Sequence, residues 1–259
     1  MSKIKNGIDV MVSKIPEITL AFWIMKICAT TLGETAGDLM SMTLNVGYEI
    51  SSLILISIFL ISLCAQLFFS KKYNPIIYWL VILSTSTAGT TISDFMDRTL
   101  GLGYAKGSMI LISLLLITLA AWKLIEGSIP VNNIKSRSGE LFYWIAILFS
   151  NTLGTAFGDF LADSSGLGFL GGAVLVSTSI LFIYLLYKYT NVNRIILFWF
   201  AFILTRPLGA TVGDLLTKTT AKGGLGFGTI GSSLVLLAIL VALIIVNIRK
   251  ENRKYLRAL

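Results

Sequence analysis

The chain contains no histidine, only 13% charged residues, two cysteines and four prolines among its 259 residues. Each shortage excludes something. Without histidine there is no imidazole for general-base work, no Ser-His or Cys-His pair, and no nitrogen-rich metal site. HExxH, GxSxG and P-loop patterns are also absent. We therefore expect no enzyme and no cofactor. Cys28 and Cys64 both fall inside apolar runs, so neither a disulfide framework nor a CxxC pattern is available. A soluble domain carries about 25% charged residues, and this chain has too few to cover a water-exposed surface. Its first 17 residues are polar and basic and its first apolar run is long, so no cleaved signal peptide is expected.

What the chain does contain is apolar sequence in long blocks, with 55% hydrophobic residues overall. A transmembrane helix needs roughly 20 mostly apolar residues. Eight blocks qualify, at 18–38, 49–69, 75–97, 107–125, 140–161, 169–187, 194–216 and 228–248. The expectation is an all-α membrane protein of eight transmembrane helices, forming one membrane domain over 1–259, with the lipid bilayer as its partner. Basic residues orient it. Lys3, Lys5, Lys14, Lys71, Lys72, Lys123, Lys135, Arg137, Lys188, Arg194 and the tail from Arg249 collect on the side shared by both termini. The positive-inside rule makes that side cytoplasmic. The net charge of +8 is thus a topology signal and does not point to nucleic acid. The basic tail could lie on anionic lipid.

The blocks repeat in pairs. Trp23, Trp79, Trp144 and Trp199 are each followed, fifteen residues later, by Asp38, Asp94, Asp159 and Asp214. The stretches into the acids read LGETAGD, AGTTISD, LGTAFGD and LGATVGD, and a glycine next to an aromatic follows each of them. Four copies result, at about 16–70, 72–127, 138–190 and 192–250. Two spans per copy make successive copies enter the membrane in the same direction, a parallel repeat. A pseudo-four-fold arrangement would bring the four aspartates to one depth as a ring. It would also allow two halves, 1–130 and 131–259, to rock against each other.

Small residues stand four apart before each acid: Gly33 and Gly37, Gly89 and Ser93, Gly154 and Gly158, Gly209 and Gly213. Such pairs let helix backbones approach closely. The tryptophans fit helix packing or an interfacial belt better than a gating ring. On the face of each acid lie Thr31, Thr87, Thr152 and Pro207, seven residues earlier, and Glu34, Thr90, Thr155 and Ala210, four earlier. Carboxylates and hydroxyls are oxygen donors, which suit a hard cation or a proton. A metal is accordingly expected, if anywhere, at Asp38, Asp94, Asp159 and Asp214. Lys26 and Arg206 lie inside spans and could balance part of the ring's charge.

Tandem two-span repeats carrying these tryptophans and Gly-Asp motifs resemble a bacterial integral membrane family defined by a repeat of unknown function. The second copy departs from the motif, with Ser93 in place of glycine. The resemblance implies a bacterial inner-membrane protein and supplies no activity. From the residues themselves we expect a transporter or channel for a small cation, with Asp38, Asp94, Asp159, Asp214, Glu34, Thr31, Thr87 and Thr152 as ligands. The alternative is a non-transporting scaffold or sensor in which the same charges form a closed salt-bridge core. The oligomeric state is left open.

Overall fold

A capping residue precedes each tryptophan-bearing run: Thr19, Asn74, Ser136 and Asn193. In the computed structural model, which describes residues 14–70, 72–130, 134 and 136–258, all four side chains accept a backbone N–H of the helix they start. The donors are Phe22, Ile76, Gly139 and Ile195, at 3.4, 3.0, 2.9 and 2.9 Å. Each cap satisfies an amide that the first helical turn leaves without a partner. Pro75 follows Asn74 at the first helical position, where its missing N–H costs nothing.

Among the described residues there are eight α-helices and no strand. They are α1 (Leu20–Asp38), α2 (Tyr48–Cys64), α3 (Pro75–Asp94), α4 (Tyr104–Glu126), α5 (Arg137–Asp159), α6 (Gly168–Tyr189), α7 (Arg194–Thr217) and α8 (Thr229–Ala258). Odd-numbered helices carry the tryptophan and acid, and even-numbered ones follow the glycine turns. Gly47 and Gly103, the residues just before α2 and α4, have φ of 81° and 72°, a region that side chains with a Cβ avoid. Lys3, Lys5, Lys71 and Lys135, used above for orientation, lie outside the described residues.

Helix contacts divide the bundle into two shells. α1 packs on α3, α3 on α5, α5 on α7 and α7 on α1, which closes a ring of four. The second helix of each repeat does not pack mainly on its own partner's outer face. Instead α2 lies against α3, α4 against α5, α6 against α7, and α8 returns to α1. Burial follows from this. The apolar stretches of α3, α5 and α7 are 67–72% buried within the protein, and those of α2, α4, α6 and α8 are 17–22% buried. Exposed side chains such as Leu53, Ile61, Leu116, Phe182 and Leu234 give the outer shell an apolar surface that only a bilayer can cover without penalty.

Among the described residues, seven helical segments are long and apolar enough to cross a membrane: Tyr48–Phe69, Pro75–Thr99, Tyr104–Glu126, Arg137–Ser164, Gly168–Tyr189, Arg194–Thr217 and Thr229–Lys250. α1 is not among them, because Lys26, Glu34 and Asp38 lower the hydropathy of its 19 residues. It nonetheless stands in the same ring as α3, α5 and α7.

Away from the acids, the ring is filled by aromatic side chains. Trp79, Trp144 and Trp199 are buried and Trp23 is half-buried. The residue before each tryptophan is also aromatic, and it meets the tryptophan of the following repeat. Phe22 lies 5.8 Å from Trp79, Tyr78 5.6 Å from Trp144, Tyr143 6.3 Å from Trp199, and Phe198 5.6 Å from Trp23, between ring centroids. The tryptophans are therefore packed between helices and do not form a lipid-facing belt. Tyr78 and Tyr143 also share a hydrogen bond of 2.9 Å, which leaves both buried hydroxyls partnered.

Candidate functional site

In the first three repeats the helix does not stop at the aspartate. Five residues of wider winding follow directly: Leu39–Thr43, Phe95–Thr99 and Phe160–Ser164. They close with backbone N–H bonds from Leu44 to Leu39, Leu100 to Phe95 and Ser165 to Phe160, each 2.8–2.9 Å. In these three repeats the aspartate lies about a turn inside, and in the fourth α7 runs on to Thr217 and is capped by Lys218; in every copy the residue four positions on comes back over the acid. Those residues are Met42, Arg98, Asp163 and Lys218. Two of the four are cations.

Arg98 and Lys218 each join acids of two repeats. Arg98 Nε lies 2.8 Å from Asp94 and an Nη lies 3.1 Å from Asp159. Lys218 Nζ lies 2.6 Å from Asp38 and 3.1 Å from Asp214. The four aspartates are almost fully buried, while both cations keep some exposure. Burial works against the charge of Lys218, but Asp214 and Asp38 outweigh it and hold the ammonium well above the usual lysine range. It therefore stays charged throughout the physiological range. Both pairs cross the boundary between residues 1–130 and 131–259, so rocking of those halves at this end must break both.

One turn deeper, Glu34 takes the central place. Arg206 Nη1 lies 2.9 Å from Glu34 Oε2. Thr90 and Thr155 donate to the same oxygen at 3.2 and 3.4 Å. Arg206 also donates to the carbonyls of Thr30 and Ser86, at 3.4 and 3.3 Å, and to Thr90 Oγ1. Its guanidinium thus reaches from α7 to α1 and α3, with no exposed surface. α1 and α5 face each other diagonally across the ring, so the Thr155–Glu34 bond crosses its interior.

Lys26 lies three turns below Asp38, roughly 18 Å along the helix. It is fully buried, and its contacts among the described residues include no acid at ion-pair distance. Its ammonium donates to Asn151 Oδ1 at 3.4 Å and lies 4.2 Å from the Phe202 ring centroid. Of the two residues expected to balance the ring, Arg206 thus reaches a carboxylate and Lys26 does not. The cations on the aspartates themselves are Arg98 and Lys218. Their signal was in the sequence: both stand four residues after an acid, the spacing of an ion pair on a helix.

The threonines divide similarly. Thr31, Thr87 and Thr152 donate to the carbonyls of Ile27, Leu83 and Leu148 on their own helices, at 2.9, 2.8 and 2.9 Å. The hydroxyls that reach Glu34 belong to Thr90 and Thr155, one turn nearer the acids.

Glycines bring the four helices this close. A Cβ on Gly37 would lie 2.8 Å from Thr90 Cβ, on Gly158 2.8 Å from Ala210 Cβ, and on Gly213 2.9 Å from Glu34 Cβ. One turn deeper, Gly33 faces Ser86, Gly89 faces Asn151, Gly154 faces Arg206 and Gly209 faces Thr30. Every contact runs from one repeat to the next, and the last returns to the first.

The result is five carboxylates with three cations at ion-pair distance, Arg98, Arg206 and Lys218. Glu34, Asp159 and Asp214 each offer an oxygen, and these oxygens lie within 4.8 Å of one another. Hard cations hold oxygens at about 2.0–2.6 Å, so oxygens on opposite sides of one ion stand about 4–5 Å apart. The three oxygens match that span. They come from α1, α5 and α7 and are held by the glycine contacts.

No curated protein and no solved structure matches the chain. A family described as a Repeat of Unknown Function (DUF347) matches residues 21–72, 77–128, 142–193 and 197–253. Each match covers the repeated tryptophan, the aspartate fifteen residues after it and the glycine turn that follows, and together they take in most of the sequence. The chain belongs to this family of tandem repeats.

Proposed function

We propose that the protein is a multi-pass transporter for a small hard cation, a divalent metal or a proton. On this reading all eight helices span the bilayer of a bacterial inner membrane with pseudo-four-fold symmetry, and both termini are cytoplasmic. α1 crosses despite its charges, because they face the ring interior and not lipid. The observation that carries the reading is the group of Glu34, Asp159 and Asp214, three buried acids from three helices, inside the ring near one end of an apolar bundle. Intramembrane acids in excess of their counter-charges are costly and mark ion pathways. An arriving cation would supply the missing positive charge. It would also compete with Arg98, Lys218 and Arg206 for the same oxygens, which links binding to release of the cross-repeat pairs. No chemical step on a substrate is involved.

A second reading has its own support. Arg98 and Lys218 already pair all four aspartates, as in a scaffold or sensor with a closed salt-bridge core. Proteoliposome uptake separates the two. Mn²⁺, Mg²⁺ and Ca²⁺ are offered in turn, with a proton-sensitive dye in parallel, to wild type and to Asp159→Asn and Asp214→Asn. Each variant leaves its cation with one remaining acid, so the fold is retained. We expect uptake of one ion class by wild type and a loss of about tenfold or more in both variants, as intramembrane ion ligands imply. No uptake by well-folded wild type, or wild-type rates in both variants, sinks the transport reading.

A further inference from the structure

The end of the bundle remote from the acids has an ion pair of its own. Lys14 precedes α1, and its ammonium lies 2.8 Å from Glu140 in the first turn of α5. The same ammonium donates to the carbonyl of Leu67, after the end of α2, at 3.3 Å. Gln66 donates to the other oxygen of Glu140 at 3.4 Å. Glu140 is buried, and Ile15, next to Lys14, sits in the aromatic core. Glu140 and Asp159 are 19 residues apart on α5, roughly 28 Å along the axis.

This arrangement bears on movement. α1 and α5 stand diagonally in the ring, so Lys14 ties together two helices that are not neighbours. Lys14 also belongs to the first half of the chain and Glu140 to the second, as Asp38 and Lys218 do at the other end. A single covalent segment, residues 14–19, connects this contact to the start of α1. Tyr78 and Tyr143, hydrogen-bonded just inside, join the same two halves.

We infer that Lys14–Glu140 is an inner latch, the counterpart of the Arg98 and Lys218 pairs, and that the structure is an occluded state with the two halves pinned at both ends. The inference rests on the transport reading for its purpose, but the latch itself is testable without transport. Opening at the Glu140 end requires this pair to break, since α5 cannot leave the start of α1 while it holds. The acid end can stay closed meanwhile, because its pairs lie at the other end of the same helices.

The test is hydrogen–deuterium exchange on the full-length protein in lipid nanodiscs, comparing wild type, Lys14→Ala, Glu140→Gln and the swapped pair Lys14→Glu with Glu140→Lys. We expect both single variants to speed exchange about tenfold or more in the first turns of α3 and α5, as local opening equilibria report. Exchange around Asp94 and Asp159 should stay unchanged, and the swap should restore protection. Unchanged exchange in the single variants overturns the latch. So does uniform acceleration along all helices, which would make the pair a general stabiliser, and so does failure of the swap to restore protection in a folded protein. Uptake is measured beside it. Faster exchange without any uptake in wild type leaves the latch standing and removes the transport reading, while uptake with unchanged exchange does the reverse.

Discussion

Replacing Arg206 by methionine is expected to destabilise the bundle by about 3–5 kcal/mol, the range for removing one partner of a buried ion pair. Methionine roughly preserves the length of the stem that rests against Gly154, so the loss is mainly electrostatic. Glu34 would be left buried with only the hydroxyls of Thr90 and Thr155. The carbonyls of Thr30 and Ser86 would lose a charged donor as well. Adding Glu34→Gln should recover much of the stability, because the stranded charge, and not the missing contact, dominates the cost. Unfolding in mixed micelles over the four members of the double-mutant cycle measures this. A loss below about 1 kcal/mol for Arg206→Met, or a double variant less stable than the single one by an additive amount, contradicts the ion pair as the element holding α1, α3 and α7 together.

The second large effect is expected at Gly209. A Cβ there would lie 2.7 Å from the backbone carbonyl carbon of Thr30 and 2.7 Å from its Cβ. Backbone cannot step aside as a side-chain tip can, so α7 must move away from α1 or tilt. Overpacking of this kind costs about 1–3 kcal/mol for one added methyl. Leucine at the same place should prevent the ring from closing. Gly231, on α8, provides the contrast: nothing lies within 4 Å of its added Cβ, and alanine is a better helix former by up to about 1 kcal/mol. Gly209→Ala should therefore lower the thermal midpoint of the detergent-solubilised protein, while Gly231→Ala should leave it level or raise it. Equal behaviour of the two would mean that the α1–α7 contact is not close enough to need glycine. In a membrane the helices gain no hydrophobic drive from association and depend on such close packing, so the effect should be large for so small a change.

Legibility differed from residue to residue for physical reasons. The small residues before each acid read as close-packing surfaces because nothing else fits four apart on one helix face in every copy. Their partners did not read out. That Gly209 meets Thr30, and that α8 returns to α1, follows from closure of the ring, which no local pattern encodes. Glu34 stood out as an acid four residues before Asp38, where the other copies have Thr90, Thr155 and Ala210, and Arg206 as an arginine deep inside a span. Lys26 stood out equally, yet it bonds Asn151 and covers Phe202. Its height on the helix separates it from Asp38 by three turns, and its burial beside Asn151 and Phe202 was not visible from its position alone. Arg98 and Lys218 lie just beyond the apolar blocks 75–97 and 194–216, so hydropathy gives no sign that they fold back over the acids. The wide turns after Asp38, Asp94 and Asp159 have no strong sequence signal, and they carry the following residue over the acid.

The helical membrane character, the four copies and the position of the acid within each are legible along the chain. These follow from hydropathy over twenty-residue runs, from capping residues and from glycine turns, all of them local properties of the chain. Which charge meets which is settled by the packing of the helices. The distance between Arg98 and Asp159, between Lys218 and Asp38, and between Lys14 and Glu140 depends on how four helices close into a ring, and ion pairs between residues 61, 180 and 126 positions apart are set by that closure and not by anything either neighbour in sequence dictates.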